Sequence, residues 1–108
     1  MVSVHQYDVY WVDLTPTRGS KTNKICPCVV VSPDELNAHL ATAIVVPLTS
    51  QVHGLPWRMT VQIANKDAEL IIDQIKALDK LRIGERICSL NDHDKSMLKS
   101  YIKEMLVD

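Results

Sequence analysis

The chain has 108 residues, of which 46% are hydrophobic and 23% charged, and its formal net charge at pH 7 is −1. A chain of this length forms one domain with a single core, and this composition is ordinary for a globular protein and gives no sign of intrinsic disorder. Its apolar runs are far shorter than the ~20 residues that a membrane-spanning helix needs, which excludes a helical membrane protein. We therefore expect one domain over residues 1–108.

The balanced net charge hides an uneven distribution along the chain. Residues 67–108 hold more acids than bases, whereas residues 14–66 hold more bases than acids. The basic residues of that N-terminal part are Arg18, Lys21, Lys24, Arg58 and Lys66. A surface that attracts anions is therefore expected from the N-terminal half, with an ordinary solvated face as the alternative.

The three cysteines, Cys26, Cys28 and Cys88, cannot all pair with one another. The two that flank Pro27 lack the second pair of ligands that a structural zinc site requires, and the four histidines are scattered. We expect free thiols in a reducing, cytoplasmic location and no metal or other cofactor.

The first element in chain order is predicted to be a half-buried strand. Its two faces carry Tyr10, Val12 and Leu14 on one side and Val9, Trp11 and Asp13 on the other, as the two-residue period of a strand requires. Pro16 and Gly19 end it and open a loop that contains no carboxylate. The cations of this loop are Arg18, Lys21 and Lys24. The apolar, β-branched run over residues 28–31 then predicts a strand buried on both faces. A cationic loop held by two rigid strands is suited to bind an anion.

A short helix follows the second strand. Ser32 is expected as its N-cap, Pro33 as its first residue and Glu35 as the partner that completes a capping box. The helix should cover residues 34–40. Residues 43–48 are again apolar on both faces and predict a third strand.

The middle of the chain alternates between breakers and apolar runs. Pro47 is expected at the end of the third strand or at an edge, and residues 49–56 form a loop. The alternation over residues 57–63 predicts an amphipathic strand that carries Arg58 on its outer face. A turn should follow at residues 65–67.

The last third predicts a strand at residues 70–75, a helical turn at 80–83, a strand at 85–90 and a helix that starts at Asn91. Asn91 can cap this helix through Asp94. The apolar stripe of the helix, which we expect in the core or in subunit packing, is Met97, Leu98, Tyr101, Ile102, Met105 and Leu106. Five to seven short strands and one closing helix predict a mainly β protein, a small barrel with a C-terminal α-helix.

Four segments together resemble a known family. They read VYWVDLTPTRGS (residues 9–20), PCVVVSPDELN (27–37), VVPLTS (45–50) and DQIKALDKLRI (73–83). In this order and spacing they resemble the MazF/PemK-type toxins of bacterial type II toxin-antitoxin pairs. The resemblance implies the SH3-like barrel that these toxins share with CcdB-type toxins, a symmetric homodimer, and a cognate antitoxin that covers the active surface.

The resemblance also implies an mRNA interferase, an endoribonuclease that cuts single-stranded mRNA at short specific sequences without a metal. Its products would be 2′,3′-cyclic phosphate and 5′-hydroxyl ends. The same barrel serves gyrase poisons, which need C-terminal aromatic residues that the ending EMLVD lacks.

The family's active residues carry over in part. Thr49 matches its threonine, and Asp73 and Gln74 match its DQ pair near the RNA surface. Cys26 stands where the family has its catalytic arginine, and Lys21 stands at its loop acid. A neutral thiol cannot grip a phosphate in the bidentate way that a guanidinium can.

Three explanations of Cys26 are open from the sequence. Lys21 or Lys24 takes over the role of the arginine, or the chain is a damped or catalytically silent member that binds RNA, its antitoxin or both. Alternatively, the cysteine is an inactivating substitution, since arginine to cysteine is a single-base change. A catalytic thiol is not favoured, because thiolates attack carbonyls far more readily than they assist phosphodiester cleavage.

The candidate catalytic residues are therefore Cys26, Thr49, Lys21 and Lys24. The candidates for RNA contact are Arg18, Ser20, Ser50, Gln51, His53, Arg58, Asp73 and Gln74. For the loop lysines and the histidine the alternative is a solvated side chain. Trp11 and Trp57 are expected in the core or in subunit packing rather than in base stacking.

Overall fold

The computed structural model describes residues 3–15 and 24–107. In these residues the elements in chain order are β1 (Asp8–Asp13), β2 (Ile25–Val30), α1 (Asp34–His39), β3 (Thr42–Thr49), β4 (Met59–Ile63), β5 (Lys66–Leu70), β6 (Lys76–Asp79), β7 (Ile83–Ser89) and α2 (Asp92–Leu106). Two single 3₁₀ turns, Ile72–Gln74 and Lys80–Arg82, flank β6.

The strands pair in the order β4-β5-β3-β2-β1-β7, and β6 adds to β3. Every recorded pairing is antiparallel. One edge of β3 pairs with β6 over its first half and with β5 at its end, so that β3 belongs to both halves of the sheet. The sheet therefore curls into a half-barrel, which confirms the prediction of a mainly β, small-barrel fold with a C-terminal helix.

The sheet is buried on both faces, which explains its continuous apolar runs. On one face a first core includes Val9, Val29, Val46, Leu70 and Leu98. On the other face a second core includes Tyr10, Val12, Cys28, Val45 and Ile83. Val9 and Tyr10 of β1 enter opposite cores, and so do Cys28 and Val29 of β2, as the two-residue period of a strand requires.

The predicted capping box of α1 was wrong. The N-cap is Pro33, and it makes no side-chain capping hydrogen bond. Ser32 is buried instead, where its hydroxyl donates to Asn37 Oδ1 over 2.5 Å and accepts the Ile44 N–H over 3.0 Å. Its side chain is thus engaged with β3 and the helix interior, which leaves it unable to cap the helix.

The predicted strand at residues 70–75 was also wrong, because β5 ends at Leu70 and a 3₁₀ turn occupies Ile72–Gln74. Ile72 is fully buried, so the turn is as apolar as a strand would be. A short apolar run does not distinguish the two conformations by periodicity. The strand β6 that follows the turn was not predicted.

The β4–β5 hairpin turns one residue earlier than expected. Ala64 and Asn65 form the turn with φ angles of 52° and 65°, so β5 already begins at Lys66. Two consecutive positive φ angles are typical of a two-residue type I′ hairpin.

Pro47 does not end β3, which continues to Thr49. On one side it lies opposite Cys28 of β2. The other edge of β3 changes its partner from β6 to β5 at this point, after Val45 and before Leu48. The missing N–H of proline therefore falls where the neighbouring strand changes.

Helix α2 follows the prediction closely. The Asn91 side chain accepts the Asp94 N–H over 2.8 Å, which caps the helix. Leu98 is fully buried in the first core, and Tyr101, Ile102 and Met105 pack against that core. Met97 and Leu106, in contrast, are 38% and 58% exposed, so these two residues of the predicted stripe do not lie in the core of this chain. No helix in the described part of the chain is long and apolar enough to span a membrane.

Leu98→Ala is expected to lower the free energy of unfolding by about 2–5 kcal/mol, because it removes buried methyl groups and leaves a cavity. Urea denaturation followed by circular dichroism measures this. Met97→Ala, one residue earlier on the same helix, is the matched control and should cost much less. Equal losses for the two variants would contradict the assignment of Leu98 to the core.

Candidate functional site

Cys26 and Thr49 come together at neighbouring ends of β2 and β3. The register of this pair runs Val30–Val45, Val29–Val46 and Cys28–Pro47. Extended by two residues, it sets Cys26 opposite Thr49, and both residues line one groove. Residues that lie opposite each other in a sheet share a face. The structure therefore brings together two of the four residues that the sequence suggested as catalytic.

The groove encloses about 500 Å³ between the β1–β2 pair and the β4–β5 hairpin. Its apolar lining includes Pro27, Leu48, Ile63, Ala68 and Ile87. Thr49, Ser50, Lys66 and Asp67 supply polar groups. An apolar floor with a few polar side chains suits a flat or apolar guest that polar contacts orient.

Trp11 contributes to the same groove and is 47% exposed. Trp57, in the loop before β4, is also 47% exposed. The expectation that either ring lies in the core of this chain was therefore wrong, since each ring keeps about half of its surface in solvent. Subunit packing, rather than base stacking, stays the prediction for both.

The Cys26 thiol lies in a cationic environment. It packs against the second core, and Lys24 and Lys76 act on it electrostatically. A hydrogen bond from the neighbouring Cys28 thiol is the largest influence, and together with the two lysines it outweighs burial and lowers the pKa of Cys26 to about 7. The thiol is thus partly ionised at neutral pH.

Lys76 was not among the residues that the sequence suggested. It begins β6 opposite Val45, on the face of the sheet that carries the second core. The signal for it was present in the DQIKALDKLRI segment, two residues after Gln74. The apolar run before it predicts a strand over residues 70–75, and this leaves Lys76 in a connection without an assigned element.

Cys26 should react with iodoacetamide with a half-maximal rate near pH 7, well below the ordinary thiol value of 9.0. A lowered pKa leaves more thiolate at any given pH, so the rate should rise through pH 7 and then level off. Peptide mass spectrometry after timed alkylation measures this. Cys28 and Cys88 serve as internal controls, because burial raises the pKa of Cys88 and the Cys26 neighbour raises that of Cys28. A midpoint near 9 for Cys26 would contradict the assignment.

The two ends of the cationic loop are held together. Leu14 N–H donates to the Lys24 carbonyl over 2.6 Å, and Lys24 N–H donates to Thr15 Oγ1 over 3.1 Å. Arg82 Nη1 donates to the carbonyl oxygens of Thr15 and Asp13 over 2.8 and 3.2 Å. The described residues thus fix the loop where it leaves β1 and where it enters β2. The predicted contacts at Arg18, Ser20 and Lys21 lie outside the described residues.

Arg58, Glu69 and Asp73 form a second polar cluster. Arg58 Nε and Nη2 donate to the two carboxylate oxygens of Asp73 over 2.9 and 3.0 Å, and Nη1 donates to Glu69 Oε1 over 3.1 Å. The Arg58 side chain is only 14% exposed, so the prediction that it lies on the outer face of a strand was wrong. Arg58 directly precedes β4 and lies beside two acids that are distant in the sequence. Its contacts with these acids cover the guanidinium group.

The carboxylates of this cluster stay ionised. Burial by itself would raise the pKa of Glu69, but hydrogen bonds from the His53 N–H, from Arg58 and from the Gly54 N–H outweigh it and hold the pKa below its ordinary value. The Arg58 hydrogen bond is the main reason that the pKa of Asp73 is lowered. Two carboxylates and one guanidinium leave the cluster with a net negative charge.

The remaining candidates are distributed around these two places. Ser50 lines the groove, and Gln51 N–H donates to Thr49 Oγ1 over 3.2 Å, which leaves the threonine hydroxyl hydrogen free to donate elsewhere. His53 lies with the Arg58 cluster and does not line the groove. Gln74 is exposed in the 3₁₀ turn. Their contacts with RNA stay predictions.

The described residues contain no group of three or more His, Cys, Asp or Glu side chains placed to hold a metal ion. The groove lining supplies the carboxylate of Asp67, the hydroxyls of Thr49 and Ser50, the ammonium group of Lys66 and the thiol of Cys26. The hydroxyls and the ammonium group can bind an oxyanion and donate hydrogen bonds to it.

Comparison with known proteins agrees with this geometry. A model of the PemK-like, MazF-like toxins of type II toxin-antitoxin systems matches residues 5–106. The Endoribonuclease MazF of Staphylococcus saprophyticus is 32% identical over 91 residues, which cover 79% of this chain and 76% of the relative.

Solved structures show the same fold. A MazE-MazF complex from Deinococcus radiodurans (Form-II) aligns with a TM-score of 0.85 at 19% identity and covers 98% of this chain and 97% of its own. An endoribonuclease in complex with its cognate antitoxin from a mycobacterial species aligns with a TM-score of 0.79 at 19% identity, over 98% and 95% of the two chains. The resemblance found in the sequence is therefore confirmed, and the chain belongs to the PemK-like, MazF-like toxin family of type II toxin-antitoxin systems.

Proposed function

We propose that this protein is the toxin of a type II toxin-antitoxin pair and an endoribonuclease that cuts single-stranded mRNA in the cytoplasm without a metal. The observation that carries this proposal is the family match over residues 5–106, with a 32% identical relative that is itself an endoribonuclease. In this proposal residues 1–108 act as one toxin domain.

The chemistry follows from cleaving RNA with side chains alone. A ribose 2′-OH loses its proton and attacks the adjacent phosphorus in line, and the departing 5′-oxygen takes up a proton. The products are a 2′,3′-cyclic phosphate and a 5′-hydroxyl. The protein must supply donors aimed at the phosphate oxygens, where negative charge increases in the transition state.

The residues around Cys26 can supply part of this machinery. The Thr49 hydroxyl, which accepts the Gln51 N–H, keeps a hydrogen to donate to a phosphate oxygen. Lys24 and Lys76 are the cations that act on the Cys26 position, and Lys21 is proposed to join them. Cys26 occupies the position of the family's arginine, so the bidentate grip on the phosphate is what this chain lacks.

A second candidate function, a catalytically silent member that binds RNA or its antitoxin, is favoured by the Cys26 thiol itself. With a pKa of about 7, the thiol carries a negative charge on a large share of molecules at neutral pH. A negative charge next to the phosphate opposes the transition state, in which negative charge on the phosphate oxygens increases. The cleavage reaction is therefore expected to be slow in this chain.

The proposed protein partners are a cognate antitoxin and a second copy of this chain. Similar structures include a MazE-MazF complex and an endoribonuclease with its cognate antitoxin, which supports an antitoxin here. The apolar floor of the groove, with the half-exposed Trp11 beside it, suits apolar side chains of such a partner. Elution of the chain as a monomer at micromolar concentration would contradict the homodimer.

The test is cleavage of a long, unstructured RNA by this protein and by Cys26→Arg, side by side in EDTA, with the product ends mapped. Cutting that leaves 5′-hydroxyl ends supports the nuclease. Cutting by the arginine form alone identifies this chain as a silent or damped member of a nuclease family. If neither form cuts any RNA, the nuclease proposal is overturned, and filter binding of the same RNA then tests the second candidate.

A further inference from the structure

We propose that Glu69, held by Arg58, is a positioning residue for RNA cleavage, because its carboxylate fixes the loop that follows Thr49. This inference rests on the function proposed above and assigns a role to a residue that the sequence did not single out. It concerns residues 50–58, which connect β3 to β4.

Glu69 is placed beside the site by the sheet itself. It lies directly opposite Thr49 in the β3–β5 pairing and opposite Thr60 in the β4–β5 pairing. Opposite residues of neighbouring strands share a face, so the Glu69 side chain leaves the sheet on the same face as the Thr49 side chain and next to it. Any group that Glu69 binds is thereby fixed relative to Thr49.

The carboxylate is buried and fully used. Glu69 is 1% exposed. Its Oε2 accepts the His53 N–H over 2.8 Å and the Gly54 N–H over 3.2 Å, and its Oε1 accepts Arg58 Nη1 over 3.1 Å. A buried carboxylate is costly unless such partners satisfy it, so the loop backbone and Glu69 depend on each other.

The loop is thereby fixed in its middle and at its far end. Gly54 has a φ angle of +69°, which a glycine adopts at little cost, and its N–H donates to Glu69. At the far end Arg58 binds Glu69 and grips Asp73 with two hydrogen bonds. Asp73 precedes Gln74 in the 3₁₀ turn, so one guanidinium ties the loop to that turn.

A purely structural role is the alternative, since a buried ion pair that loses one partner destabilises most proteins. The two roles differ in what a conservative change affects. Glu69→Gln keeps the side-chain volume and one carbonyl acceptor but loses the charge that holds Arg58. A positioning role predicts a loss in kcat with little change in KM. The distance between a hydrogen-bond donor of the protein and the phosphate oxygens of the transition state changes, whereas binding of the ground-state RNA does not.

The experiment compares Glu69→Gln with Glu85→Gln, which removes an exposed carboxylate on β7. Both are made in the more active of two parents, this chain and Cys26→Arg. Hydrogen exchange of the His53 and Gly54 amides is measured together with kcat and KM on a short RNA, and urea denaturation gives the stability. We expect Glu69→Gln to speed exchange of these two amides about tenfold or more relative to α2 amides and to lower kcat by ~10–100-fold, as for a donor displaced by about 1 Å. Glu85→Gln should change neither.

Unchanged exchange at His53 and Gly54 in Glu69→Gln would overturn the proposal, and so would faster exchange with unchanged kcat. Faster exchange over the whole chain, with a lower free energy of unfolding, would assign Glu69 to stability and would also overturn it. Failure of the proposed function is seen separately, since neither parent would then cleave RNA before Glu69 is changed. The positioning role would be overturned with it.

Discussion

Replacing Cys26 by arginine is expected to raise the rate of RNA cleavage by about a thousandfold or more. Removal of an arginine or of an oxyanion donor from a phosphoryl- or acyl-transfer site costs factors of ~10²–10⁵, and the substitution reverses such a loss. The position is suitable, because Cys26 lies across from Thr49 at the end of β2 and between the influences of Lys24 and Lys76. The measurement is single-turnover cleavage of an RNA that contains a mapped cut site.

The reason for the size of this effect is geometric as well as electrostatic. A guanidinium presents two parallel N–H donors to a phosphate, whereas an ammonium is a flexible point charge. Lys24 and Lys76 already place positive charge near the thiol. The arginine would therefore add a fixed bidentate grip to a field that is already positive.

Two further substitutions at this position separate charge from geometry. Cys26→Ser removes the ionisable thiol and should give a small gain that grows above pH 7, where the thiolate of the parent opposes the phosphate. Cys26→Lys adds charge without the fork and should fall between serine and arginine. Equal rates for cysteine and arginine would contradict the prediction and would assign the role to the lysines, which Lys24→Ala and Lys76→Ala would then test.

The sequence predicted those elements whose periodicity is long and regular. Alternation placed β1 and β4, the β-branched runs placed β2 and β3, and the apolar stripe with its Asn91 cap placed α2. Short elements in the last third of the chain were harder to predict. The 3₁₀ turn at Ile72–Gln74 and the strand Lys76–Asp79 depend on how β3 exchanges its neighbours, and that is a property of the whole sheet.

The candidate site also has one part that could be predicted from the sequence and one part that could not. That Cys26 and Thr49 lie close together could be predicted from the matched segments, because Thr49 belongs to one of them and Cys26 directly precedes another, and both segments contribute to strands. The Arg58–Glu69–Asp73 cluster could not be predicted from the sequence, since its members lie in three different parts of the fold and only the folded sheet makes them neighbours. A charged residue inside a strand pattern, such as Glu69 between Ala68 and Leu70, was the one local signal for it.

Thr49→Val is expected to lower kcat by ~10²–10³-fold in the Cys26→Arg background, because it removes one donor from the position where negative charge develops. Valine has the shape of threonine and favours strands, so β3 should be retained. Thr49→Ser, which keeps the hydroxyl, should recover most of the activity, and this rescue separates the donor from the packing of the methyl group. Thr42→Val, at the exposed start of the same strand, is the matched control and should cleave RNA as its parent does. If Thr49→Val cleaves as fast as its parent, the threonine is not a donor to the phosphate, and the hydroxyl would serve only to accept the Gln51 N–H in the folded loop.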